Sequence, residues 1–332
     1  MTVIRSANSL QAAISVLLST NSEPSEISAA ACAAHTLLSA MAELGECPDE
    51  TSDKLLPGGV AIAPNAAALC LTDHIRTAMF VRGVRDAIAH LQFQFPGEIL
   101  DVVYAGCGPF APLLVMPMLG SVHESSQDGI QFTLIDAHHR SLDAARQIIE
   151  TLGLDRYVRS YVCADAATYL HPGDRAIHLV ITETMQRALE KEPQVAITAN
   201  LAPQLRKGGA LVPEEISVVA YLMDQVKEFT PPGAPERDRI RLGEIMQVSA
   251  HTAPALNAPA AVRIKIPKLT SNRYMLALST VVKVFGPHLI EEYASGITNP
   301  VWLRHLPAKD TPAVVEFTYE SGEKPGLRYV VL

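Results

Sequence analysis

Three features of the sequence predict an α/β protein built on a Rossmann-like, doubly wound parallel sheet. An N-terminal helical extension precedes the sheet, and an antiparallel β-barrel or sandwich-like domain follows it. The first 95 residues are Ala-rich with helical periodicity. Between residues 96 and 213, four apolar strand-like runs in succession end in glycine or carboxylate tips, the alternation expected of a parallel sheet. From Glu214 the pattern changes to short alternating strands separated by Pro, Gly and Asn. The expected segments are therefore 1–95, 96–213 and 214–332.

The opening stretch, MTVIRSANSLQAAISVLLST, has one Arg and a short apolar run broken by polar residues. No convincing cleavage site follows, so it reads as a helix rather than a leader. No 18-residue apolar span is free of polar or charged residues, which argues against a membrane-spanning helix. The Pro/Gly-containing stretch CPDETSDKLLPGG reads as a hinge.

Ile99 to Leu119, ILDVVYAGCGPFAPLLVMPML, is the most informative run. A buried-strand pattern enters Gly106-Cys107-Gly108 and leaves as an apolar helix. Glycines at such a turn let the backbone bend sharply and let a ligand lie against bare main chain, facing a helix N-terminus. Taken alone, Gly106 and Gly108 equally fit a plain strand-to-helix turn.

QFTLIDAHHRSLDAARQIIETLG then gives a second strand ending in Asp136. The helix after it is expected to have Ser141 as N-cap and Leu142, Ala145, Ile148, Ile149 and Leu152 on one face. An acid at this tip can accept both hydroxyl protons of a ribose. Its spacing from Gly106 exceeds the usual ~20 residues, and the polar Ser121 to Gly129 is expected to loop out and absorb the excess. YVRSYVC leads to Asp165-Ala166, and AIHLVIT leads to Thr182-Glu183. Asp136 or Asp165 alone also suits a solvated loop carboxylate or helix cap. Their placement at successive strand ends favours a ligand site at the carboxyl edge of the sheet.

Beyond Glu214 the expected strands are EISVVAYLMD, AVRIKIP, YMLALSTVVKVF, AVVEFTYES and GLRYVVL, with exposed loops at Thr230 to Pro235 and at 252–261. The net charge is −8 with no basic run, so there is no electrostatic footprint for nucleic acid, and a neutral or cationic small partner suits the chain better. Five scattered cysteines, without CxxC spacing, fit a reducing, cytoplasmic compartment. His138, His139 and His305 read as surface or packing residues, and no metal site is expected.

With these pieces in place, the chain resembles the class I S-adenosylmethionine-dependent methyltransferases. It is most similar to the protein arginine methyltransferase family, from about Leu69 onward. LTDHIRTAMFVRGVRDAI is similar to that family's Asp-x-x-Arg-Thr helix, VVYAGCGPFAPL to its glycine loop and LIDA to its ribose acid. TETMQRALEKE sets Glu183 and Glu192 nine residues apart, as in its double-glutamate loop, and LRKGGALVPEEISVVAYL resembles its entry to a β-barrel.

The resemblance implies S-adenosylmethionine as cofactor, covered by the N-terminal helical region. It implies that Arg76, Tyr104, Ala105, Gly106, Gly108, Phe110, Asp136, Ala137, Asp165, Ala166 and Glu183 line its site, with Arg76 on the methionine carboxylate. The candidate catalytic residues are Glu183, Glu192 and Tyr104. Paired carboxylates suit an amine or guanidine acceptor, because they hold a cation, orient one nitrogen and stabilise charge leaving sulfur. Glu190, Lys191 and Glu192 equally read as a solvated charge cluster opening a helix before Pro193.

The chain also departs from that family. Tyr104 stands where an acid precedes the glycines, Phe110 replaces the third glycine and Gln186 replaces the loop's Gly. The Thr-His-Trp loop is matched only by Asn299-Pro300-Val301-Trp302, without the His, leaving Trp302 as pocket or core. These differences favour a small molecule or amino acid over protein arginine as acceptor.

Two other readings stay open. One is intramolecular cyclisation of S-adenosylmethionine to azetidine-2-carboxylate and methylthioadenosine, and the other is a non-catalytic binding subunit. A homodimer rests on family analogy alone.

Overall fold

The computed structural model describes residues 2–120, 129–173, 175–229, 237–269, 271–306, 308 and 313–332. Helices α1 (Thr2–Leu18) and α2 (Pro24–Ala42) pack on each other through Leu10, Ile14, Leu17, Ala31, Ala34 and Leu38, all fully buried. Pro24 opens α2, and the Glu26 carboxylate accepts from the free Glu23 N–H (2.8 Å).

The stretch read as a hinge folds instead into short elements. They are α3 (Pro48–Thr51), the hairpin β1 (Lys54–Leu56) and β2 (Gly59–Ala61), and then α4 (Pro64–Leu69). Pro48 and Pro64 open the two helices and Pro57-Gly58 turns the hairpin, while contacts to distant parts of the chain hold these short elements in place. The long helix α5 (His74–Gln94) follows, with Asp73 as its N-cap.

Strands and helices then alternate as expected: β3 (Leu100–Ala105), α6 (Pro112–Gly120), β4 (Ile130–Asp136), α7 (His139–Thr151), β5 (Val158–Cys163), β6 (Ile177–Thr182), α8 (Gln194–Leu201) and β7 (Leu205–Val212). The five strands lie in the order β5-β4-β3-β6-β7, all parallel. Every residue of β3 and β6 is buried, which explains their near-continuous apolar runs. Chain direction across the sheet reverses between β3 and β6, and such a switch point opens a crevice at the carboxyl ends of the strands. Ala105 pairs with both Ile135 and Thr182, so Gly106, Asp136 and Glu183 leave the sheet at one level.

The remainder is antiparallel, as the alternating pattern predicts. It comprises β8 (Glu215–Asp224), a helical turn α9 (Gln225–Glu228), β9 (Arg239–Ser249), β10 (Val262–Ile266), β11 (Tyr274–Phe285), β12 (His288–Ile290), β13 (Val301–His305), β14 (Ala313–Glu320) and β15 (Gly326–Val331). One sheet runs β12-β11-β8-β9 with β13 also on β11, and a second runs β10-β14-β15. The two domain types share one apolar core, in which Gly83 of α5 lies so close to Val284 of β11 that a Cβ would meet it at 2.5 Å.

Some expectations need correction. Ser141 is not the cap of α7; it is buried inside the first turn, and the helix starts after His138. The Asp136 carboxylate accepts the His138 N–H (2.8 Å), so the chain turns into the helix as soon as the strand ends. Strands β7, β9, β12 and β13 have no counterpart in the sequence reading. Residues 252–261 are not simply exposed, since a 3-10 turn at Ala253–Ala255 buries Ala253 and Leu256. The expected loops at Ser121 to Gly129 and Thr230 to Pro235 lie outside the described residues, apart from Gly129. No helix among the described residues is long and apolar enough to cross a membrane.

Candidate functional site

A cavity of about 1050 Å³, counted out to its open mouth, occupies the crevice at the carboxyl edge. Arg76, Tyr104, Gly106, Gly108, Phe110, Asp136, Ala137, Asp165, Ala166, Glu183 and Glu192 all line it. Of the residues expected to line the cofactor site or to act in catalysis, Ala105 alone does not, being wholly buried within β3.

The glycine turn follows β3. Gly106 (φ +68°) and Gly108 (φ +62°) hold the left-handed conformation that glycine adopts without strain. A Cβ on Gly106 would meet Thr184 at 2.2 Å, whereas one on Gly108 would meet only Ala67, at 3.7 Å. The Gly108 N–H donates to Asp136 Oδ2 (2.9 Å), while Oδ1 takes the N–H of His138. Burial pushes the Asp136 carboxyl up, and these two donors oppose it. Each oxygen keeps a further lone pair for a ligand hydroxyl. Asp165, half-buried at the next strand end, accepts from Ala167 N (2.9 Å).

The loop after β6 carries the other two acids. Arg76 of α5 donates through Nη2 to Glu183 Oε2. Glu183 Oε1 is buried and has no hydrogen-bond partner. Burial pushes Glu183 up, and Arg76 pulls it back toward the ionised form. Glu192 is 7% exposed, so the reading of a solvated charge cluster fails for it. Burial, reinforced by the Glu183 charge, raises Glu192 to about 7, against the opposing effects of Arg76 and Gln186. Gln194, also buried, accepts from Thr184 N (3.0 Å) and fixes the loop's start.

The short N-terminal elements roof the cavity through Leu56, Val60, Ala61, Ile62 and Ala67. They are tied to the strand ends by Lys54 Nζ to Ala137 O (2.7 Å), His138 Nε2 to Ala61 O (3.2 Å) and Arg140 Nε to Glu50 Oε1 (3.1 Å). Hydrogen bonds from Arg140 and Cys47 hold the Glu50 carboxyl down at about 2. The N–H of Val60 donates to Lys191 O (2.8 Å).

Cys70 lines the cavity beside Arg76, Glu183 and Glu192, and nothing in its sequence context signals this. Asp73, the N-cap of α5, has a second tie. Its Oδ2 accepts from Ser295 Oγ (2.6 Å) and Gly296 N (3.0 Å), joining α5 to the β domain. Trp302 does not line the cavity; it is half-buried against Phe229, with ring centroids 6.0 Å apart. His305 is exposed and bonds Asn272 O, and His138 is buried in packing. Among the described residues, no cluster of His, Cys, Asp or Glu is arranged to hold a metal ion.

No protein-family model matches this sequence, and no curated protein sequence matches it. Solved structures match in shape. One is the Trypanosoma brucei PRMT1 enzyme-prozyme heterotetrameric complex with AdoHcy, at 14% sequence identity and a TM-score of 0.53, over 79% of this chain and 91% of that one. At this identity the likeness establishes the fold. The fold class and the resemblance read from the sequence are borne out at that level.

Proposed function

We propose that this chain binds S-adenosylmethionine in the crevice and transfers its methyl group to an amine or guanidine nitrogen of a small molecule or amino acid. The observation that carries this reading is the buried, unpartnered Glu183 Oε1, in one cavity with Arg76, Glu192, Asp136 and the Gly106–Gly108 turn.

The residues fit the cofactor. Asp136 offers one lone pair on each oxygen to a ribose diol, and Gly108 leaves room for a ligand against main chain. Arg76 spends one nitrogen on Glu183 and keeps others for a carboxylate. When bound, S-adenosylmethionine supplies an electrophilic methyl group on a sulfonium, with a good leaving group behind it.

The chain's own residues then position the acceptor. Asp136, Asp165, Glu183 and Glu192 face a single cation, Arg76, among the charged residues lining the cavity, which favours a cationic or amine acceptor. Glu183 Oε1 accepts one N–H of that acceptor and orients its lone pair. Glu192 takes up the proton, which suits a carboxyl near 7. Orientation and exclusion of water supply most of the acceleration. Residues 299–302 lack the His of the Thr-His-Trp loop, which supports a small acceptor over protein arginine.

Tyr104 favours a second reading. It lines the cavity where an acid would face the cofactor's amine, and burial pushes its phenol far up, so it stays neutral. An amine left without a carboxylate there suits cyclisation to azetidine-2-carboxylate.

Incubation with S-adenosylmethionine, with and without a panel of small amines, separates the readings. Acceptor-dependent S-adenosylhomocysteine supports methyl transfer, and methylthioadenosine formed without acceptor replaces it with cyclisation. Neither product, with no binding by calorimetry, leaves a non-catalytic partner subunit.

A further inference from the structure

The loop from Glu183 to Glu192 has a costly backbone. Ala188 (φ +53°), Leu189 (φ +58°) and Lys191 (φ +69°) all sit in the left-handed region, where a non-glycine residue is strained because its Cβ crowds the backbone. Such a conformation persists only where its surroundings over-determine it. Here they do so from the C-terminal sheets as well as from the roof.

The Ala188 N–H donates to Thr280 Oγ1 of β11 (2.9 Å), and Tyr319 of β14 donates its hydroxyl to Leu189 O (3.2 Å). Both side chains are buried, Thr280 at 1% and Tyr319 at 6% exposure. Lys191 N bonds Pro325 O (3.0 Å), at the entry to β15. Every one of these ties falls between the two glutamates, and neither Thr280 nor Tyr319 lines the cavity.

We propose that Thr280 and Tyr319 are positioning residues that lock the strained loop against the β domain and so hold Glu192 out of water. This deepens the reading in which Glu192 accepts a proton, and the groups around it are consistent with the assignment. Glu183 at the end of β6, Arg76 of α5, Asp53 before β1, Gln186 of the same loop and Cys70 after α4 face the cluster. Loss of either tie lets the loop relax outward and water reach Glu192, which lowers its affinity for a proton.

The test is a titration of the Glu192 side-chain carboxyl by NMR in the full-length, ligand-free chain, carrying 13C-labelled glutamate and assigned with Glu192→Gln. Tyr319→Phe and Thr280→Val are each expected to lower the midpoint from its wild-type value by about one pH unit. Thr280→Ser, which keeps the hydroxyl, is expected to restore it. Under turnover with S-adenosylmethionine, the acidic limb of the rate profile moves down with the midpoint while the KM for the cofactor stays constant.

A midpoint unchanged to within ~0.2 units in both folded variants overturns the proposal, since one unit is the shift that loss of desolvation produces. If Thr280→Val does not fold, Tyr319→Phe decides alone. The titration needs neither cofactor nor acceptor. A null result there leaves methyl transfer standing, and a normal shift in a chain without turnover does the reverse.

Discussion

Two strand tips on the same edge of the sheet treat their carboxylates in opposite ways. At the end of β4, Asp136 is met by main-chain N–H groups on both oxygens, in a regular strand-turn-helix that any chain of this pattern builds. At the end of β6, Glu183 keeps one buried oxygen without a partner, and Glu192 sits in a loop with three left-handed non-glycine residues. The first arrangement fixes its acceptors by main-chain donors, which fits the proposed role of holding a ligand. The second stores unsatisfied polarity and strain, which fits the proposed role of meeting a substrate group.

The contrast is broken most strongly at Arg76. Arg76→Ala leaves Glu183 buried without its counter-charge, so a loss of about 3–5 kcal/mol is expected, read as a lowered urea midpoint at pH 7. A variant as stable as the wild type would mean that Glu183 is not kept ionised by this pair. Next in size is Glu183→Gln, expected to cut turnover by about 10²–10³-fold while calorimetry finds S-adenosylhomocysteine affinity largely retained. Equal activity would put Glu183 on the same footing as Asp136, as a holder and not a participant.

Glu192 sharpens the comparison through stability. Its folded value of about 7 lies above that of an unfolded glutamate, so the folded state binds the proton more tightly. That stabilisation is complete below the unfolded value of about 4.3 and is lost as pH rises through about 7. Glu192→Gln is therefore expected to be more stable than wild type at pH 8, by about 4 kcal/mol at most, and to show no such gain at pH 4. Denaturant melts at the two pH values check this, and an equal difference at both would mean that Glu192 titrates normally. The smallest effect belongs to Asp136→Ala, with cofactor affinity expected to fall about tenfold as the ribose loses its acceptor. Unchanged affinity removes the ribose assignment.

The β4 end was far more legible in the sequence than the β6 end. Gly106, Gly108 and Asp136 follow from strand period and tip chemistry, which are local. Glu183 was found by the same rule, but the burial of Glu192 was not, because Glu190-Lys191-Glu192 has the composition of a solvated turn. The loop that carries it is tied to Val60, Thr280 and Tyr319, which lie far away in the sequence, so no local pattern reports the burial. Edge strand β7 was hidden for a similar reason. Arg206, Lys207, Gly208 and Gly209 look like a turn, yet the strand pairs with β6 and completes the sheet. The interspersed charges and Gly243 of β9 likewise disguise a strand that pairs along β8. Ser141 was misread because the chain already enters the helix after His138, whose N–H the Asp136 carboxylate accepts, so Ser141 falls inside the first turn.

Gly59 links the two halves of this account. Its φ is +141°, and a single methyl group placed there would meet Lys191 O, Glu192 C and Pro193 N within 2.8–2.9 Å. The acidic loop is therefore moulded against a hairpin made more than a hundred positions earlier. The bare backbone at position 59 thus sets how closely the roof can sit on the main chain on either side of Glu192, and any larger residue there must lift one from the other.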